Sequence, residues 1–336
     1  MRRADEPHRW LELASGNDSV VTQVDDGHSV GPGDAGDLPT SSASMPKVVA
    51  AMLTHLDIHD WERVCEIGTG TGWNAALLAH RLGAERVTTI EIDAEVAAHA
   101  RKVLSDAGFG EVRAITGDGA LGNRAGAPYD RVIATVASKY LPYEWVKQTR
   151  PGGRIVAPSW VLNYYGLLLA FTVKEGGIAT GNAVGDASFM MLRDQRAHRS
   201  RRVITDTGDY EHADISETEI HPAEVASGSY SRGAVIAIGT RVSGCRSDYF
   251  PSADPGSKDG ILRLADHTSG SWARLHYDHD SGPPYTVHQF GPRRLWDEVE
   301  AAYQWWVDQG SPGADRWRFT VTPHEHRIDL VPSRCR

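Results

Sequence analysis

The stretch VCEIGTGTGWNAALLAHRLG, residues 64–83, constrains this chain more than any other. A short apolar run meets three glycines spaced G-x-G-x-G and then passes into a segment with helical periodicity. A strand that ends in a glycine turn and continues as a helix is the first unit of an open α/β sheet, with the turn placed to hold a ligand. Two ligand classes use this grammar, and they differ in charge. A dinucleotide brings an anionic pyrophosphate and favours G-x-G-x-x-G. Here the glycines are Gly68, Gly70 and Gly72, and Glu66 stands at the end of the strand before them. A carboxylate there repels a pyrophosphate and attracts an ammonium or sulfonium group.

The following strands extend the pattern. RVTTIEID ends in Glu91, whose carboxylate can accept both hydroxyls of a ribose. EVRAITGD ends in Asp118, which can accept from an adenine amine, and Gly119 beside it leaves room for the ring. Any one of these features alone has an ordinary explanation, glycines serving tight turns and acids capping helices. Three consecutive strands delivering an acid or a glycine turn at their carboxyl ends, where open α/β sheets bind ligands, point to S-adenosylmethionine. Between and beyond them the spacing predicts a helix from Pro46, with Val48, Val49, Met52, Leu53 and Leu56 on one face, helices over 74–82 and 94–107, and a short one in PYEWVKQT. It also predicts strands in YDRVIATVA, GRIVAPSW and GLLLAFTVKEGG. Alternation of this kind implies a mostly parallel sheet covered on both faces.

The two ends of the chain read differently. Residues 1–43 are rich in Asp, Gly, Ser and Pro and are expected to be an extended arm with a short strand in SVVTQV. From Arg193 to Tyr210 the polar run RDQRAHRSRRVITDTGDY reads as a linker. Beyond it GAVIAIGTRV, GILRLAD, SWARLHYD and YTVHQFG are strand candidates, and PRRLWDEVEAAYQWWVDQG is a helix with Pro292 near its start and Gly310 past its end. RWRFTVTP and HRIDLV are expected to close that second sheet. The resulting division is an arm at 1–43, a ligand-binding α/β domain at 44–196 and an α+β domain at 211–336.

The net charge of −9 speaks against a sequence-independent grip on nucleic acid. No apolar run is long enough to span a bilayer, and no signal segment opens the chain. Three cysteines, Cys65, Cys245 and Cys335, make no disulfide framework and fit a reducing cytoplasm. His276, Asp278, His279 and Asp280, and likewise His324, Glu325 and His326, are metal-ligand types without zinc spacing, so no metal is expected. Of Trp296, Trp305 and Trp306, one or two are expected in a core, with an exposed aromatic anchor for a peptide as the alternative.

From about Thr40 to Gln195 the residues resemble the protein-L-isoaspartate O-methyltransferases. The motifs are TSSASMPKVVAAML, VCEIGTGTGWNAALLAHRLG, VTTIEID, ITGDGALG, APYDRVIATVA and QTRPGGRIVAP. The resemblance implies a Rossmann-like class I S-adenosylmethionine-dependent methyltransferase domain, followed here by an α+β accessory domain. It implies Ser44, in the Ser-x-Pro element, as the active-site serine, and Ser42 in a stretch that wraps against the cofactor. A helix cap at Ser44 ahead of Pro46 is the alternative reading, and both can hold. Two departures stand out: enzymes of this family carry helices ahead of Ser-x-Pro, and they usually end soon after the core. FMMLRDQR at 189–196 and GPRRLWDEVEAAYQWW at 291–306 resemble an actinobacterial branch found beside ATP-grasp (graspetide) and lasso peptide machinery. That resemblance implies methylation of an aspartate side chain in a cyclised ribosomal peptide, the ester then closing to an aspartimide, with the accessory domain selecting the peptide. The alternatives are repair of L-isoaspartyl residues in proteins and a catalytically silent cofactor-binding protein.

Overall fold

The computed structural model describes residues 6–28, 36, 38–160, 164–196, 209–226, 228–251, 259–277 and 282–332. The chain forms two compact units. The first comprises residues 1–159, 168–196 and 320–326, and the second 160–167, 197–319 and 327–336. This differs from three consecutive segments. The arm belongs to the first unit, residues 160–167 go with the second, and 320–326 return to the first.

The first unit begins with α1 (Pro7–Ser15), a helix that the polar composition of the arm hid, so the N-terminal region is not merely extended. β1 (Val20–Val24) and β2 (Pro39–Ala43) then pair antiparallel, Val20 opposite Ala43 and Val21 opposite Ser42. The arm is therefore an α-helix and a hairpin ribbon. α2 (Pro46–Leu56), β3 (Val64–Ile67), α3 (Trp73–Leu82), β4 (Val87–Glu91), α4 (Ala94–Asp106) and β5 (Arg113–Thr116) follow the spacing of the sequence. So do β6 (Tyr129–Ala134), α5 (Tyr143–Lys147), β7 (Thr149–Ser159) and β8 (Leu167–Lys174), with β9 (Ile178–Asp186) added where no strand is expected. β3 pairs in parallel with β4 and β6, β4 with β5, and β6 with β7. The strand order β7-β6-β3-β4-β5 reverses direction at β3, and at that switch point the glycine turn leaves the sheet.

Burial explains why β3 is placed so firmly. All four of its residues are buried, and Val64, Leu78, Val87, Leu104 and Ile133 form one cluster with Met52 and Leu56 of α2. Truncating any one of these to alanine should cost about 2–5 kcal/mol. α2 is fixed at its far end as well. The guanidinium of Arg131 donates to the carbonyls of Leu56 (2.9 Å) and Asp57 (2.8 Å) and pairs with buried Glu62 at 2.8 Å. A cation on the last carbonyls of a helix satisfies acceptors that lack intrahelical donors.

The second unit contains a five-stranded sheet in the order β10-β14-β13-β12-β11. Its strands are β10 (Asp214–Thr218), β11 (Arg246–Pro251), β12 (Gly260–Asp266), β13 (Ser271–Tyr277) and β14 (Tyr285–Phe290), each pairing antiparallel with its neighbours. α6 (Pro222–Ala226), α7 (Gly228–Arg241) and α8 (Leu295–Asp308) accompany it. α7 corrects the expectation of a strand in GAVIAIGTRV. Residues 234–238 are all wholly buried, and a run buried on every side carries no periodicity to separate helix from strand. The last two strands, β15 (Trp317–Val321) and β16 (His326–Leu330), do not close this sheet. They lie beyond β9 in a nine-stranded order, β16-β15-β9-β8-β7-β6-β3-β4-β5.

Trp296 and Trp306 are buried, while Trp305 is half-buried with Arg241 stacked on its ring at 3.4 Å. His276 and His324–His326 are exposed, and no group of three metal-ligand side chains occurs among the described residues. Asp278, His279, Asp280, Cys335 and RSRR at 199–202 lie outside the described residues. Among the described residues no helix is long and apolar enough to cross a membrane.

Candidate functional site

The carboxyl ends of β3, β4, β5 and β6 open into a cavity. Ser42, Ser44, Glu66, Gly68, Gly70, Glu91, Asp118 and Gly119 all line it. Gly72 does not.

The floor is built by the glycine turn. Gly68 sits at φ +93°, and a Cβ there would stand 2.5 Å from Cγ1 of Val136. The backbone must pass close over the end of β6, so only glycine fits. The N–H groups of Gly68 and Thr69 donate to the carbonyl of Ile90, stitching the turn to β4. Gly70, at φ +52°, donates its N–H to Oε2 of Glu91 at 2.9 Å. Oε1 of Glu91 accepts from the N–H of Asp93 at 3.1 Å. Each carboxylate oxygen thus spends one lone pair on the backbone and keeps one for a ribose hydroxyl. Gly72 is the N-cap of α3 at φ +84°, and a Cβ there would meet Leu104 and Ala100 of α4 at 3.4 and 3.7 Å. It sits against α4 at ordinary contact distance and serves the left-handed backbone of the turn, off the lining of the cavity to which the sequence assigned it.

Glu66 is also not quite what its position implies. It is wholly buried, its Oε1 accepting from Nδ2 of Asn74 at 2.7 Å and its Oε2 from Oγ1 of Thr89 at 2.6 Å. Burial pushes its carboxyl up to about 7, against the lowering by those two hydrogen bonds. It is an acid poised between its two states at neutrality rather than a fixed negative charge. Asp118 accepts the N–H of Ala120 through Oδ1 at 2.9 Å, which leaves Oδ2 for an amine. Gly119 is required by packing as much as by ring clearance, since a Cβ would fall 2.5 Å from Cγ2 of Ile67.

The geometry bears on the helix-cap reading of Ser44. α2 is capped by Met45, and no side chain caps it. Ser44 lies half-buried between β2 and α2, lines the cavity, and its hydroxyl makes no hydrogen bond among the described residues. The helix-cap reading is therefore overturned, and the hydroxyl stays available. Ser42 Oγ approaches Sδ of Met190 at 3.7 Å.

Several lining residues were not singled out from the sequence. Thr69, Trp73, Asn74, Ile92, Thr135 and Val136 come from the strand ends and turns, and Met190, Met191, Leu192, Arg193 and Arg196 from the segment after β9. Trp73, half exposed at the mouth, adjoins the last glycine, which is the signal that could have found it. The expected linker from Arg193 is instead pinned at its start. Met191 bridges Ala137, the N–H of Leu192 donates to the carbonyl of Ala137 at 2.8 Å, and Gln195 Oε1 accepts from the N–H of Lys139 at 2.7 Å.

This cavity fits S-adenosylmethionine: a ribose acceptor, an adenine-amine acceptor and a glycine turn occupy the three strand ends in the order a nucleoside needs, and Glu66 can answer a cation. The family described as Protein-L-isoaspartate(D-aspartate) O-methyltransferase matches residues 29–197, half of the chain. Protein-L-isoaspartate O-methyltransferase of Methanoculleus marisnigri is 43% identical over 115 residues, covering 34% of this chain and 51% of that protein. Protein-L-isoaspartate O-methyltransferase 2 of Archaeoglobus fulgidus is 34% identical over 160 residues, 47% of this chain and 72% of that one. A solved structure titled protein-L-isoaspartate O-methyltransferase has a TM-score of 0.54 at 17% identity and covers 95% of this chain and 88% of its own. At that identity it speaks to the fold alone, and it shows that a chain continuing past the core has a counterpart. With the class I α/β fold, the acid-ended strands and the match from 29 to 197 in hand, the chain belongs to the protein-L-isoaspartate(D-aspartate) O-methyltransferase family.

Proposed function

We propose that this chain transfers a methyl group from S-adenosylmethionine to the free carboxylate of an L-isoaspartyl residue in a peptide or protein. The observation that carries it is the Ser44 hydroxyl, free of any capping duty, in a residue that lines the same cavity as the acid-ended strand set. The donor, when bound, supplies an electrophilic methyl on a sulfonium. A carboxylate acceptor is ionised at neutral pH and needs no general base. The chain's own work is then position and exclusion of water. Ser44 donates to the acceptor oxygen that does not attack, turning the other toward the methyl. Glu91, held by the Gly70 N–H, fixes the ribose end, and Glu66 answers the positive charge. Holding both reactants in line is worth up to about 7–11 kcal/mol of barrier.

A second reading is methylation of an ordinary aspartate in a constrained, ribosomally made peptide. The backbone nitrogen of the next residue then attacks the ester, methanol leaves, and an aspartimide ring closes. What favours it is the second unit, most of which lies past the end of the family match at 197 and exposes Tyr230, Tyr249 and Phe250. Such aromatics suit peptide anchoring. Mass spectrometry separates the two. A linear isoaspartyl peptide gaining one methyl supports repair. A constrained aspartyl peptide gaining a methyl and then losing methanol, with the linear one untouched, supports the second reading. Neither peptide changing would sink both.

A further inference from the structure

The cavity has a roof as well as a floor, and the roof is tied down by charge. The segment 190–196 crosses from the end of β6 to the arm. At one end Met191, Leu192 and Gln195 are bonded to residues 137–140. At the other, Nη1 of Arg196 donates to both carboxylate oxygens of Asp26, at 2.7 and 3.0 Å. Nη2 of Arg193 lies 3.1 Å from Oδ1 of Asp26 and 3.4 Å from Oδ2 of Asp93. Gln23 of β1 donates to that same Oδ2 of Asp93 at 3.3 Å. Asp93 caps α4 just past Glu91, so the cluster joins three separate pieces of chain around the ribose end: arm, segment 190–196 and β4–α4 turn.

Two further observations mark this cluster as more than surface decoration. The four side chains are one-third exposed or less, at 27% for Asp26, 19% for Arg196, 33% for Arg193 and 13% for Asp93. Pairs so sheltered are screened less than exposed ones, whose median contribution is about 0–1 kcal/mol. Asp26 is also held at φ +56°, next to Asp25 at φ +51°. Two successive left-handed residues that are not glycine are strained and persist where the surroundings over-determine them. Here the strain aims the Asp26 carboxylate at the arginines, while Oδ1 of Asp25 accepts the N–H of Leu38 to close the hairpin.

We infer that Arg193 and Arg196 are positioning residues that latch the arm over the donor pocket through Asp26 and Asp93, and that donor and product exchange requires this latch to open. The inference rests on the reading of the cavity as the donor site. In this role the two arginines act through the arm and not on the transferred methyl. Both act on the residence time of the nucleoside beneath them.

The test is the dissociation rate of S-adenosylhomocysteine from the full chain, followed by stopped-flow fluorescence, with affinity by calorimetry. Asp26→Asn keeps a residue that tolerates φ > 0 and removes the charge. It and Arg196→Gln are expected to speed release about tenfold each, the double variant being no faster than either alone, as for two partners of one contact. In the native chain release should quicken with added NaCl, and in Asp26→Asn this salt dependence should flatten. Arg196→Lys should recover part of the slow release, a recovery that a general loss of packing would not give. Release rates unchanged in both single variants, or a native rate indifferent to salt, overturn the latch while leaving the donor site standing. If either variant fails to fold, the salt series on the native chain still decides. A native chain that does not bind S-adenosylhomocysteine overturns the donor site and the latch together.

Discussion

The floor and the roof of the cavity are made by opposite means. The floor, residues 66–72 with the ends of β4 and β5, is local: glycines at positive φ, backbone N–H groups on Glu91, and a β3 strand buried on every side. The roof, residues 20–28, 38–43 and 190–196, is assembled from stretches far apart in the chain and tied by Asp26, Asp93, Arg193 and Arg196. A floor fixed by sterics is rigid and insensitive to salt. A roof fixed by partly sheltered charge can open, because each tie is worth only about 1–3 kcal/mol. Binding needs the first property and exchange needs the second.

The largest effect should come from breaking the floor. Gly68→Ala puts a methyl 2.5 Å from Val136 at a φ that alanine resists. It should cost about 2–4 kcal/mol of stability and abolish donor binding, read by thermal melting and calorimetry. Next, Ser44→Ala should lower kcat about 10–100-fold while leaving donor affinity and melting temperature unchanged, since Met45 and not Ser44 caps α2. A fall in melting temperature equal to a lost cap, about 1 kcal/mol, would instead return Ser44 to a structural role.

Glu66 sharpens the contrast through pH. Its carboxyl titrates at about 7, raised by burial, so it is largely neutral at pH 6 and charged at pH 8. The charged form attracts the cationic donor. Donor affinity should therefore rise about tenfold across that window, and Glu66→Gln should be flat in the same titration calorimetry. The stability of the ligand-free protein should move the other way. A folded pKa above the ordinary 4.5 of a glutamate favours the protonated native state, a contribution fully present below pH 4.5 and lost as pH rises through 7. The smallest effect belongs to Gly72→Ala. It should cost about 1–2 kcal/mol for its left-handed φ, yet leave donor affinity within about threefold, because Gly72 does not line the cavity.

Much of the floor was legible because its determinants are short-range. Gly68, Gly70, Glu91 and Asp118 sit at strand ends that periodicity alone locates, although the contacts that hold Gly68 and Glu91 come from neighbouring strands and turns. Gly72 carried the same spacing signal but lies off the lining of the cavity, beside Ala100 and Leu104 of another element. α7 was hidden because residues 234–238 are buried on all sides, which erases the period that would tell helix from strand.

Sequence by itself determined the order of β3–α3–β4–α4–β5–β6, the acids at their ends and hence the class of ligand, since backbone conformation and charge type are written residue by residue. Only the tertiary structure decided that Ser44 is left without a capping bond, that Glu66 is buried deeply enough to titrate near 7, and that an apparent linker closes a pocket. Those outcomes turn on desolvation and on partners distant in the chain, such as Asp26 and Arg196, and neither burial nor long-range pairing is encoded in local spacing.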